Sequence, residues 1–219
     1  MDSYTKQLED VIKQMLQPLK KLPFKLVIET ISGNKVLKFD LHNEKNIRLI
    51  DDLKKVANFV GKKVNINGIE RPRPNEVGND IEAIIKASLN EVGYESDTPL
   101  AKSGKRKSTG YPDIEFKDTY NRLHYLECKT FNIENVDTTQ RSFYLSPSDD
   151  FKITTDAYHF AMCFEIYVDK KKDKNNIYKC KSWKILNLEN LELDVKYEFN
   201  SDNHRMYKSN LILAEGEIT

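Results

Sequence analysis

Two short arms constrain this chain most: Asp113-Ile114-Glu115-Phe116-Lys117 and, after five residues, Leu123-His124-Tyr125-Leu126-Glu127-Cys128-Lys129-Thr130. Residues two apart on a strand share a face, and opposed residues of an antiparallel pair share it too. With Asp113 opposite Glu127, the residues Asp113, Glu115, Tyr125, Glu127 and Lys129 lie on one face, and Ile114, Phe116, His124, Leu126 and Cys128 on the other. A slip of one residue would pair core positions with charges, which burial opposes. The pattern predicts a hairpin with two carboxylates and an amine together on the exposed face of a sheet whose other face is packed.

Around the hairpin, apolar spacing of i, i+3, i+4, i+7 predicts three helices: Asp2–Gln17, about Asn46–Val60 and about Asn75–Val92. Phe24–Ile31 and Lys35–Leu41, split by Ser32-Gly33-Asn34, read as a second hairpin. Glu70-Arg71-Pro72-Arg73-Pro74 reads as an extended linker, and the polar stretch from Tyr94 to Tyr111 as a mobile basic loop. Further strands are expected at about Arg141–Leu145, Ala157–Val168 and Ile177–Leu186, and Tyr158, Phe160, Phe164, Tyr167 and Trp183 as packing residues. This order predicts an α/β (α+β) fold, a central mixed β-sheet flanked by helices. No composition break divides it, so residues 1–219 read as one domain, with a helical and hairpin part about 1–74 and a core about 75–187 that carries the acidic hairpin.

Composition narrows the chemistry. Against 35 Lys+Arg stand 34 Asp+Glu, a net charge of +1, so the chain is no bulk cationic coat for nucleic acid. Eight glycines form no phosphate loop. Cys128, Cys163 and Cys180 make neither a disulfide framework nor a zinc ribbon, and His159 with Cys163 lacks a second ligand pair. No apolar run is long enough to span a membrane and no signal peptide is visible, so a soluble intracellular protein is expected.

Two carboxylates at Asp113 and Glu127 repel one another unless a cation lies between them, and all-oxygen ligands favour Mg²⁺ or Mn²⁺. Such a cation keeps open positions for a phosphate oxygen and a water, and Lys129 can orient that water or stabilise charge on the phosphate. The arrangement points to phosphodiester hydrolysis, with Glu115 as a substitute ligand. An acidic-x-Lys triplet alone means little here, since Asp52-Lys54, Asp150-Lys152, Asp169-Lys171 and Asp194-Lys196 repeat it.

Pro112-Asp113 followed by Glu127-Cys128-Lys129 resembles the motif of the PD-(D/E)XK nuclease superfamily, and among its members the chain looks most like a type II restriction endonuclease. The match covers about a tenth of the chain. The resemblance implies Mg²⁺-dependent cleavage of double-stranded DNA at a specific short sequence, in the cytoplasm of a prokaryotic cell. It implies Asp113 and Glu127 as metal ligands, the main-chain carbonyl of Cys128 as another, Lys129 assisting the water, and Glu82 as an additional active-site acid on the preceding helix. A homodimer is expected because a palindromic site offers two symmetric scissile phosphates, with the N-terminal helix as a candidate dimer element. Lys102, Lys105, Arg106 and Lys107 lie just upstream of Asp113 and are candidates for phosphate contact, Gln140 and Arg141 are candidate DNA contacts, and Arg71 and Arg73 could read guanine edges or contact backbone. The rival readings are a repair or junction-resolving nuclease of the same superfamily and a non-catalytic DNA-binding module.

Overall fold

The structure is a computed structural model that describes residues 3–17, 19–132, 142–197, 201–206 and 208–213. Its contacts divide the chain into two compact units, Pro23–Glu192 and a smaller one of Met1–Leu22 with Leu193–Thr219. The smaller unit holds helix α1 (Ser3–Met15), the short helix α5 (Asn203–Met206) and a 3-10 turn at Ser209–Leu211. In it the Val195 N–H donates to the Leu19 carbonyl at 2.8 Å and the Lys21 N–H to Asp194 Oδ1 at 2.9 Å, tying its two chain segments together. The two-residue strands β1 (Leu22–Pro23) and β8 (Glu192–Leu193) stand where the chain leaves and re-enters this unit.

The larger unit has the architecture expected from the sequence: a mixed six-stranded sheet between helices. Its elements are α2 (Phe24–Ser32), α3 (Glu44–Asn67), β2 (Ile69–Arg71), α4 (Pro74–Glu91), β3 (Glu95–Asp97), β4 (Ile114–Lys117), β5 (Leu123–Phe131), β6 (Tyr158–Lys172) and β7 (Asn175–Asn187). The strand order is β2-β7-β6-β5-β4-β3, antiparallel throughout except for the parallel pair β5 and β6. Parallel pairing needs a long crossover, and residues 132–157 provide it.

One face of the sheet is closed by α3 and α4. Leu49, Leu53, Val56, Val60 and Val64 of α3 and Val77, Ile81, Ile85 and Leu89 of α4 form one core with Ile114, Phe116, Leu126, Phe160, Met162 and Phe164. The α3 stripe runs on to Val64, four residues past the predicted end, and the helix stops at Gly68. There φ is +72° and a Cβ would run into Ile177 Cγ2, so glycine is favoured. Pro74 opens α4 at a position where its missing N–H is no loss.

Three expectations are corrected. Phe24–Ile31 is helix, not the first arm of a hairpin. Its β-branched residues favour strand locally, but Phe24, Val27, Ile28 and Ile31 also carry helical spacing, and full burial of Phe24 and Ile28 makes that period win. Gly33, at φ +74°, ends it by donating its N–H to the Glu29 carbonyl, and of Lys35–Leu41 only Val36 makes a bridge, to Ala157. The predicted linker contains strand β2, in register with β7. Residues 142–145 of the strand expected at Arg141–Leu145 are irregular.

Candidate active site

The β4–β5 hairpin adopts the register predicted from alternation. Ile114 faces Leu126, Glu115 faces Tyr125 and Phe116 faces His124, which brings Asp113, one residue before β4, across from Glu127. The five-residue connection Asp118–Arg122 closes it. The expected exposed face is a correction: Tyr125 is fully buried and Glu127 only 4% exposed. Helix α2 reaches over that side, where the Phe24 ring packs edge-on against Tyr111 and His159 at 5.6 and 5.4 Å. That side of the sheet is therefore covered around Tyr125, and the acidic pair lies in a partly enclosed site.

Lys129 Nζ donates to Glu127 Oε1 at 2.7 Å, and the Cys128 N–H donates to Asp113 Oδ2 at 2.8 Å. Glu127 Oε2 is buried with no hydrogen-bond partner among the described residues. Burial first, and the charge of Asp113 second, push the Glu127 carboxyl up to about 7, although Lys129 pulls the other way. Burial also disfavours the Lys129 ammonium, but Glu127 and Asp113 outweigh it and raise its pKa. A carboxylate held near another, with one oxygen unpartnered, has the electrostatics of a cation ligand. Among the described residues no three His, Cys, Asp or Glu side chains gather as a metal cluster. Any ion here would therefore draw on Asp113, Glu127, a main-chain oxygen and non-protein ligands.

The other predicted residues sort by what already holds them. Glu82 Oε1 accepts from Lys86 Nζ at 3.0 Å, yet its charge acts on both Cys128 and Lys152, so it lies near the site and in an ion pair at once. Glu115 spends both oxygens, one on Arg106 Nη1 and one on the Leu100 N–H, each at 3.2 Å. The segment expected to be a mobile basic loop is anchored: β3 pairs with β4, the Lys102 N–H donates to the Phe151 carbonyl, and the Ser103 N–H donates to Asp150. Arg106 is further held by Asp97 and the Thr98 carbonyl, and Lys107 by Ser148 and Asp150. Lys102 lies over the Phe151 ring, while Lys105 is exposed. Arg71 makes a two-pronged pair with Asp80 through Nε and Nη2 at 2.8 and 2.6 Å. Gln140 and Arg141 lie outside the described residues.

Sequence reasoning missed Lys152. It is 2% exposed, its Nζ has no hydrogen-bond partner among the described residues, and Asp113, Glu127 and Glu82 are the acids that act on it. Its Asp150-x-Lys152 triplet looked like four others, and only the fold turns this one inward. Tyr111 and His159 form a second unforeseen buried pair, Oη to Nδ1 at 2.8 Å, and burial drives the His159 pKa down to about 3, so the ring is neutral.

The model of the type II restriction enzyme MjaV family matches residues 18–210. The type II restriction enzyme MjaV of Methanocaldococcus jannaschii is 39% identical over 231 aligned positions, which cover 99% of this chain and 98% of that protein. The chain belongs to the type II restriction enzyme MjaV family. It is thus a site-specific endonuclease acting on DNA, a hydrolase of the restriction-enzyme kind. No solved structure matches it significantly. No helix among the described residues is long and apolar enough to cross a membrane.

Proposed function

We propose that this family member cuts duplex DNA through a PD-(D/E)XK-type centre in which Asp113 and Glu127 hold Mg²⁺, with Mn²⁺ able to substitute, and Lys129 assists the attacking water. The observation that carries this reading is the meeting of Asp113, Glu127 and Lys129 across the hairpin, with Glu127 Oε2 buried and unpartnered. The donor set fits a hard divalent cation: two carboxylates, with the Cys128 carbonyl as the further oxygen the superfamily resemblance implies. When bound, such an ion supplies charge to the phosphate and lowers the pKa of its water.

The chain's own groups do the rest. The Asp113–Cys128 hydrogen bond fixes one carboxylate against the β5 backbone. Glu127 positions the Lys129 ammonium, which orients the water and stabilises charge gathering on the phosphate oxygens. Glu82, beside the site on α4, is a further acidic contributor, and Lys102 and Lys105 are phosphate contacts flanking the scissile bond. A homodimer would present two such centres to the two strands of a short symmetric site. The test is digestion of mixed-sequence plasmid DNA with Mg²⁺, with Mn²⁺ and with EDTA. Discrete fragments are expected with either metal and none with EDTA, and fragments that persist in EDTA would overturn the reading.

A further inference from the structure

Lys152 lies in the irregular segment 150–154, which is pinned from several directions. The Phe151 carbonyl accepts from the Lys102 N–H and the Ile153 carbonyl from Asn34 Nδ2, each at 2.9 Å, and the Thr154 N–H donates to Tyr125 Oη at 2.9 Å. Asp150 accepts from the Ser103 N–H at 2.9 Å, and its carbonyl from Lys107 Nζ at 3.2 Å. Lys152 is thus carried to the acidic cluster by a braced backbone. Its side chain is 2% exposed, and no described residue accepts from its Nζ.

A buried amine without an acceptor opposes folding, and an apolar side chain of similar length would fill the same space more favourably. A second buried orphan of opposite sign, Glu127 Oε2, lies in the same cluster. One requires an anion and the other a cation, and a phosphodiester arriving with its divalent ion supplies both. Lys129 already donates to Glu127, whereas the donors of Lys152 have no partner among the described residues.

We propose that Lys152 is a second catalytic lysine, donating from Nζ to a non-bridging oxygen of the scissile phosphate. The inference rests on the reading of Asp113, Glu127 and Lys129 as the hydrolytic centre. No proton is transferred; the contact strengthens as negative charge builds on the phosphate oxygens.

The experiment compares the full chain with Lys152→Met, Lys152→Ala and Asp113→Ala in single-turnover cleavage of plasmid DNA with Mg²⁺ and enzyme in excess, and records melting curves without metal or DNA. Lys152→Met should lower the cleavage rate roughly 10²–10³-fold, the range for loss of one transition-state donor. Its metal-free melting temperature should be unchanged or higher, because an unpartnered buried amine is gone. Ethylamine added to Lys152→Ala should restore part of the rate. A loss below about tenfold in the folded Met variant, or a folded Ala variant that ethylamine leaves unchanged, assigns Lys152 to packing and overturns the proposal. If Lys152→Met does not fold, the ethylamine comparison decides. Full activity in Asp113→Ala would instead sink the centre itself, whereas an inactive Asp113→Ala beside a fully active Lys152→Met removes only the inference on Lys152.

Discussion

The two ends of the β4–β5 hairpin both bury charge, and they do so in opposite ways. At the turn, Asp118 accepts from the Tyr120 and Arg122 N–H groups, from Arg122 Nε at 2.8 Å and from His124 Nε2 at 3.1 Å. Arg122 is in turn held by Asn46 Oδ1 at 2.7 Å. These bonds hold the Asp118 carboxyl far below the usual range even though burial works against ionisation, while burial lowers the His124 pKa against the pull of Asp118. Only His124 Nδ1 lacks a partner there among the described residues. At the open end the orphans are a carboxylate oxygen of Glu127 and the amine of Lys152, and the Glu127 pKa moves up. A satisfied cluster stabilises the fold by itself, whereas an unsatisfied one is completed by what binds to it. On the proposed function, burial alone does not separate the charges that act on DNA from those that hold the fold; a charged group left unpartnered, as at Glu127 and Lys152, is the sharper sign.

The sharpest way to break the contrast is at the open end. Asp113→Ala and Lys129→Ala should each reduce plasmid cleavage by roughly 10³-fold, as expected when a group acting on the reacting phosphate is removed. Melting temperature should fall little. A variant that melts early but cleaves normally per folded molecule would make these residues structural.

At the turn the pattern should invert. Asp118→Ala leaves Arg122 and His124 without their acceptor and should cost roughly 3 kcal/mol, near the low end for a broken buried pair because Arg122 stays partly exposed. Urea denaturation measures this, and cleavage per folded molecule should be retained.

The two ends should also respond to pH with opposite sign. Glu127 has its pKa raised from 4.5 to about 7 in the folded protein, so between these values the unfolded chain has ionised and the folded one has not. Stability of the metal-free protein therefore falls as pH rises through this window, by up to about 3 kcal/mol at 1.36 kcal/mol per unit. Glu127→Gln should melt higher than the parent at pH 8 in EDTA, with the gap closing towards pH 4.5; an equal gap at both would refute the assignment. Asp118, with its pKa lowered, contributes stability that is present above its ordinary pKa and lost as pH falls below it. Asp118→Asn should accordingly flatten the acid limb.

The smallest effect belongs to the basic segment. Exposed Lys105 should act on DNA phosphate alone, so Lys105→Ala should reduce the slope of log affinity against log salt by about 1, without changing melting. Arg106→Ala should do the reverse, because Asp97, Glu115 and the Thr98 carbonyl already engage its guanidinium. Binding titrations in Ca²⁺ at several salt concentrations separate the two.

Local patterns in the sequence were enough to establish the hairpin register, the helices α3 and α4 and the candidacy of Asp113, Glu127 and Lys129. These follow from the periods of strand and helix, which relate residues a few positions apart. Tertiary structure decided what depends on distant neighbours. It made Phe24–Ser32 a helix by burying one of two competing periods, and it buried Tyr125 and Glu127 on the face that alternation left open. It also tied Arg71 to Asp80 and Arg106 to Glu115, and it selected Lys152 from several identical triplets by turning it into the acidic cluster. A side chain's partners across the chain determine whether its charge is neutralised, and residue spacing does not encode them.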